Sequence, residues 1–261
     1  MEAKNPIEVK NLKKDFGNIV AVDGISFEVR QGEIYGLLGP NGAGKTTTLR
    51  MVAGILEPTN GDVLIYGKSP FEDPITVKNK IGYVPEEINL FESLTPREFF
   101  EFVASIRRVS MDKAITRIAN LLRAFEIEQY FDTPIATLSL GTKQKISIIS
   151  ALIHDPPILI LDEPLSNLDV KSAKIMKELL TYHISNGGAI LFSTHIMEIA
   201  EKMCTRVGII HKGKLVAEGT VSELRQMFER GGETLEEVFL KVTEQDASVE
   251  EAIKALKEAF E

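Results

Sequence analysis

The sequence is short of several things, and each shortage excludes a class of protein. It holds one cysteine, Cys204, so no internal disulfide can form, and that residue reads as a small core side chain. No charge-free apolar run approaches the roughly 20 residues of a membrane-spanning helix. The longest, Ile146 to Ile153, runs into His154-Asp155-Pro156. Positive charge is scarce: 30 Lys and Arg stand against 38 Asp and Glu, a net charge of −8. That balance argues against nucleic acid as a partner and against adhesion to an anionic bilayer. The opening, Met1-Glu2-Ala3-Lys4-Asn5-Pro6, is polar and carries no secretion signal. Neither an internal repeat nor a low-complexity linker is evident. The expectation is a soluble cytoplasmic protein that meets a membrane only through another chain.

What is present suffices for one large α/β unit with a subdomain: 261 residues, 44% of them hydrophobic. Ile7-Glu8-Val9 and Ile25-Ser26-Phe27-Glu28-Val29 alternate as antiparallel strands do. Glu33 to Leu38 reads as a buried strand, Lys45 to Ile55 as a helix, and Val63-Leu64-Ile65 and Ile81 to Val84 as short strands. The middle of the chain then changes character. Thr95-Pro96-Arg97-Glu98 combines an N-cap, a proline at the first helical position and a glutamate three residues after the cap. It opens a helix to about Arg108. Met111 to Phe125 and Leu140 to His154 read as two more. Strand–helix alternation returns with Ile158 to Leu161, an apolar run suited to a central parallel strand. It continues with a helix from Val170 to Ser185, stopped by Asn186-Gly187-Gly188, a strand Ala189 to Ser193 and a helix Ile196 to Met203. A hairpin joins Val207–His211 to Lys214–Glu218, and helices are expected at about Val221 to Arg230, Leu235 to Val242 and Val249 to Phe260.

Gly39-Pro40-Asn41-Gly42-Ala43-Gly44-Lys45-Thr46, between a strand and a helix, fits the phosphate-binding pattern G-x-x-x-x-G-K-[ST]. Glycines let the backbone curl so that N–H groups point at phosphate oxygens, and a helix N-terminus adds partial positive charge. Lys45 is placed for the β- and γ-phosphates and the Thr46 hydroxyl for Mg²⁺, with Asn41, Gly42, Ala43, Gly44 and Thr47 completing the cradle. Asp162 and Glu163 follow the apolar strand. A carboxylate at the end of a central parallel strand lies beside such a loop, so Asp162 is expected to hold Mg²⁺ and Glu163 to polarise the attacking water. His154, His183 and His211 match no motif and read as structural or surface residues.

Ile160-Leu161-Asp162-Glu163-Pro164 followed by Ser166-Asn167-Leu168-Asp169 resembles the Walker B segment and D-loop of ABC (ATP-binding cassette) ATPases. Ser193-Thr194-His195 resembles their switch histidine, which bridges the γ-phosphate and the catalytic glutamate. Thr137-Leu138-Ser139-Leu140-Gly141-Thr142 is similar to the family signature, usually L-S-G-G-Q. Ser139 and Gly141 match it, Leu140 stands for the first glycine, and Thr142 for the glutamine. Tyr83-Val84-Pro85-Glu86 corresponds to the Q-loop, with Glu86 in place of glutamine. Phe16 matches the aromatic residue that stacks on adenine, a contact with little base selectivity, so GTP is expected to be tolerated. The resemblance runs from residue 7 to about 225. Thr234 to Leu240 is similar to a C-terminal segment of multidrug and antibiotic-resistance exporters.

The resemblance implies an α/β P-loop fold: a parallel central sheet, an N-terminal antiparallel β subdomain and an inserted helical subdomain bearing the signature. It implies a cassette over residues 1–225, with the helical part at about 90–155 and an extension at 226–261. It implies ATP and Mg²⁺, the metal held by Thr46, Glu86 and Asp162, with Lys45, Glu86, Glu163 and His195 acting in catalysis. It also implies a homodimer or heterodimer with a second ABC ATPase subunit. Ser139, Leu140, Gly141 and Thr142 of one subunit would then face the other's nucleotide, and Ser166 to Asp169 would line the contact. The expected activity is ATP hydrolysis coupled to transport, most simply export, by a separate transmembrane permease at the inner face of the cell membrane. Two alternatives compete with this: a soluble cassette for translation, repair or Fe–S assembly, and a regulatory cassette with little turnover. The first usually carries paired cassettes or long coiled coils, which are missing; the second conflicts with intact Lys45, Asp162, Glu163 and His195.

Overall fold

The computed structural model describes residues 5–227 together with Glu237, Phe239 and Leu240. Nine strands form two sheets among these residues. The first sheet is antiparallel, in the order β2 (Val20–Val29), β1 (Ile7–Asp15), β4 (Asn60–Ile65). The second has six strands. From one edge they run β5 (Ile81–Val84), β6 (Ile158–Asp162), β7 (Ala189–Thr194), β3 (Ile34–Leu38), β8 (Arg206–His211) and β9 (Lys214–Gly219). All neighbours are parallel except β8 and β9, the expected hairpin, which leaves an antiparallel edge.

The parallel strands are buried on both faces, and alternate residues serve different cores. Ile158, Ile160, Ala189 and Leu191 face a core shared with the small sheet and with α1 (Lys45–Val52). Leu159, Leu161, Ile190 and Phe192 face the other core, built from α3 (Pro96–Ile106), α4 (Met111–Ala124), α5 (Leu140–Leu152) and α6 (Val170–Ser185). Burying a side chain such as the fully covered Phe100 contributes about 1.5–3 kcal/mol. A smaller core joins Leu38, Val207 and Ile209 to Ala200 of α7 (Met197–Met203), to Leu224 of α8 (Val221–Met227) and to Phe239.

No strand lies between β5 and β6. α3, α4 and α5 occupy that stretch with two short 3₁₀ turns. α3 starts where the cap signals put it: the Thr95 side chain accepts from the Glu98 N–H, and the Glu98 carboxylate accepts from the Thr95 N–H at 2.8 Å.

Some elements differ from expectation. The first helix was expected to reach Ile55, but it stops at Val52, where the Gly54 N–H turns back to the Met51 carbonyl. β1 runs on to Asp15 and β2 begins at Val20, both longer than their alternating cores. A five-residue helix, α2 (Pro74–Lys78), capped by Asp73, was not anticipated. The helices expected at Leu235 to Val242 and Val249 to Phe260, and the end of the one from Val221, lie outside the described residues apart from the three named above.

Candidate active site

The site forms where the C-terminal ends of β3, β5, β6 and β7 meet. The loop from β3 to α1 closes on Gly44, at φ 108°. A Cβ there would lie 2.4 Å from the Ala21 carbonyl oxygen, so only glycine fits. Gly44 offers α1 no side-chain cap, which leaves the first-turn N–H groups for an anion. The β8–β9 turn braces the loop, the Gly213 N–H donating to the Ala43 carbonyl at 2.9 Å.

Lys45 is buried. Its Nζ donates to the carbonyls of Gly39 (2.7 Å) and Pro40 (3.2 Å) and lies 3.8 Å from Glu163 Oε1. Burial pushes its pKa below the usual lysine value, while Glu163, Asp162 and Glu86 pull it back up. The ammonium rests on carbonyl oxygens and carboxylates, the partners that phosphate oxygens would replace.

Asp162 is fully buried at the end of β6. Burial raises its pKa, and the neighbouring Ser193 and Thr46 hydroxyls oppose that rise. Ser193 lies opposite it on β7 and donates its hydroxyl to Oδ1. Oδ2 is buried and has no hydrogen-bond partner among the described residues. Such an oxygen is costly unless something binds it. The Thr46 hydroxyl, which donates to Glu86 Oε2 at 3.2 Å, belongs to the same group. A set of hard oxygens with one unmet acceptor fits Mg²⁺.

Glu163 sits at φ 47°, a left-handed conformation that costs about 1 kcal/mol or more. It is held there because its N–H reaches both the Ser193 hydroxyl (3.1 Å) and the Ser193 carbonyl (3.3 Å). The side chain accepts from His195 Nδ1 at 2.8 Å. Glu163 is therefore fixed between Lys45 and the half-exposed ring of His195. Sequence reasoning placed Ser193 only as the residue before Thr194-His195; its hold on both acids depends on the pairing of β6 with β7.

A cavity of about 610 Å³ opens over the loop. Phe16, Asn41, Gly42, Gly44, Lys45, Thr46, Thr47 and Glu86 line it, together with Ile19, Ala21 and Pro40. Ala43 is buried beneath the loop. Phe16 is 58% exposed, with Lys14 Nζ 5.3 Å from its ring centre, so an aromatic face is open to a planar base.

The signature and D-loop residues do not line this cavity. They pack on each other instead. Ser139 caps α5 and Asp169 caps α6, where it accepts from the Ser172 N–H at 2.9 Å and meets Lys145 Nζ at 3.1 Å. A Cβ on Gly141 would lie 2.8 Å from the Asn167 carbonyl oxygen. Gln144, buried, donates to the Pro164 carbonyl. Leu140, Ser166, Asn167 and Asp169 are exposed, and Leu168 is half-buried.

A parallel sheet whose strand ends gather a glycine cradle, its lysine and two acids defines a nucleoside triphosphatase of the P-loop class. Comparison with known proteins narrows the class. The ABC transporter family model matches residues 22–166. The Nod factor export ATP-binding protein I of Burkholderia orbicola is 38% identical over 214 residues, 82% of this chain and 70% of that protein. The ATP-binding subunit of an ABC transporter superposes with a TM-score of 0.87 at 34% identity, covering 91% of this chain and 99% of that one. A dimeric ATP-binding cassette in a post-hydrolysis state with ADP and Pi gives a TM-score of 0.73 at 26% identity over 82% and 98% of the two chains. The chain belongs to the ABC transporter family, as an ATP-binding subunit that hydrolyses ATP. No helix of the described residues is long and apolar enough to cross a membrane.

Proposed function

We propose that this subunit closes head to tail on a second ABC ATPase subunit, of the same or a different chain, around ATP and Mg²⁺. Closure and hydrolysis drive export by a separate transmembrane permease, so the subunit sits at the cytoplasmic face of the membrane through that permease. The supporting observation is the disposition of Glu163. Its carboxylate lies 3.8 Å from the lysine of the cradle and 2.8 Å from His195, which suits a base that takes a proton from water attacking the terminal phosphate. His195 keeps that carboxylate aimed and presents its ring to the γ-phosphate. Lys45 exchanges its carbonyl partners for phosphate oxygens, and Phe16 stacks on the base. Thr46, Asp162 and Glu86 hold the metal, which neutralises charge on the phosphates when bound. Ser139 and Leu140 of the signature and Ser166 and Asn167 of the D-loop are exposed, the first pair open to the other subunit's nucleotide and the second to the contact between subunits. Export as the direction is supported by the name of the Burkholderia relative.

The test is Glu163→Gln. Turnover is expected to fall by about 10²-fold or more, while ATP with Mg²⁺ drives the protein into a stable dimer on size exclusion. Unimpaired turnover would remove Glu163 from this role, and a chain that stays monomeric with ATP would remove the closed dimer.

A further inference from the structure

We infer that Thr142 is a positioning residue that turns the Ser139 hydroxyl proton outward, towards a phosphate delivered by the opposing subunit. The inference rests on the closed dimer proposed above and adds a role for a residue that departs from the family's glutamine.

The argument is a count of protons and lone pairs. Ser139 Oγ accepts from the Thr142 N–H at 3.2 Å and lies 2.9 Å from Thr142 Oγ1. A hydroxyl has one proton and two lone pairs. Either hydroxyl can donate across the 2.9 Å contact, and burial decides between them. Thr142 is 9% exposed, and Ser139 Oγ is its side chain's only hydrogen-bond partner among the described residues. If Ser139 donated, the Thr142 proton would be buried without an acceptor, which is costly. If Thr142 donates, every group in the pair is satisfied, because Ser139 is exposed and its own proton meets water.

In that arrangement both lone pairs of Ser139 are occupied from the side of the helix. Its proton points away from α5, and chained donors of this kind polarise one another. Ser139 thus becomes an oriented donor beside a helix N-terminus, a setting that favours an anion. Neighbouring residues clear the approach. Gly141 lies against the Asn167 carbonyl with no side chain between, and Leu140 is turned out to solvent at 54% exposure. Gln144 cannot stand in for the usual glutamine, since it is buried and donates to the Pro164 carbonyl.

The test is a double-mutant cycle in the full chain carrying Glu163→Gln, reading the ATP concentration needed for half-maximal dimer at fixed Mg²⁺. Ser139→Ala and Thr142→Val are each expected to raise it about tenfold, the scale of one charge-assisted hydrogen bond. The double variant is expected to be no worse than Ser139→Ala alone, and Thr142→Ser is expected to restore the parent value. Effects that add, or a Thr142→Val protein that dimerises like its parent while Ser139→Ala does not, would overturn the inference and leave the closed dimer standing. An unaffected Ser139→Ala protein would overturn it as well, whereas a Glu163→Gln parent that fails to dimerise would instead remove the closed-dimer reading. Thermal melting of each variant separates lost folding from lost orientation. If valine is not tolerated, Thr142→Ala makes the same comparison.

Discussion

Glu86 shows what a single atom type does at this site. Where the family usually has an amide, this chain has a third carboxylate, joined to Thr46 by a 3.2 Å hydrogen bond and placed with Asp162 and Glu163 around Lys45. Three acids facing a polyphosphate repel it until a cation intervenes. Glu86→Gln is therefore expected to tighten ATP binding in the presence of a chelator on the order of fivefold, from removal of one negative charge a few ångströms away. Calorimetric titration of ATP with and without Mg²⁺ would show it, and equal affinities for the two proteins in chelator would refute it. At this scale the sequence was highly informative. The cradle, the acid pair and His195 are short strings in which neighbouring residues do one job. The exceptions are relations between strings. Ser193 could be connected to Asp162 only through strand register, and Thr142 to Ser139 only through a rotamer.

Elements were legible in proportion to their punctuation. α3, α5 and α6 begin at Thr95, Ser139 and Asp169 with side-chain caps, and each was placed correctly. Thr95→Ala is expected to destabilise the chain by about 1 kcal/mol, measured by urea unfolding. A change below a few tenths would mean that α3 is held by packing alone. β1 was seen only in part because Lys10, Asn11, Lys13 and Lys14 interrupt the alternation. The strand shifts register after Val9, with Asn11 at φ 47°, and a bulge of this kind breaks the two-residue period on which the reading relied. α2 escaped notice because five residues are too few to show a helical period.

At the scale of the molecule, two histidines record how tightly the lower end of the central sheet is packed. Burial brings His154 from an ordinary 6.5 to about 4, with Arg107 pushing the same way, while its hydrogen bond to Ile81 and the charge of Asp155 push back. Burial also lowers His183. As pH falls below 6.5 the unfolded chain protonates both rings and the folded chain does not. The stability His154 contributes is complete above 6.5 and is lost as pH drops towards 4, and His183 acts in the same sense. Asp162, with its raised pKa, has the opposite sense and loses stability as pH rises above its unfolded value near 3.8. The difference between wild type and His154→Gln cancels that common contribution. The loss of melting temperature between pH 6.5 and 4 is expected to be shallower in the variant; identical slopes would exclude His154. Order within the sheet was the least legible feature. Patterning reads β3 as a buried strand, β6 as a central parallel one and β7 as a strand, yet nothing local to any of them says which lies in the middle.

That middle place belongs to β7, and it acts as a gauge block. Adjacent strands stand about 4.8 Å apart, so the backbones bearing the cradle and the acids are kept two such widths apart by a single strand whose own tip is Ser193-Thr194-His195. The mouth that receives the triphosphate is thus sized from below. Leu191 and Phe192, packed into opposite cores and absent from the lining of the cavity, set the calibre of a slot whose walls they do not form.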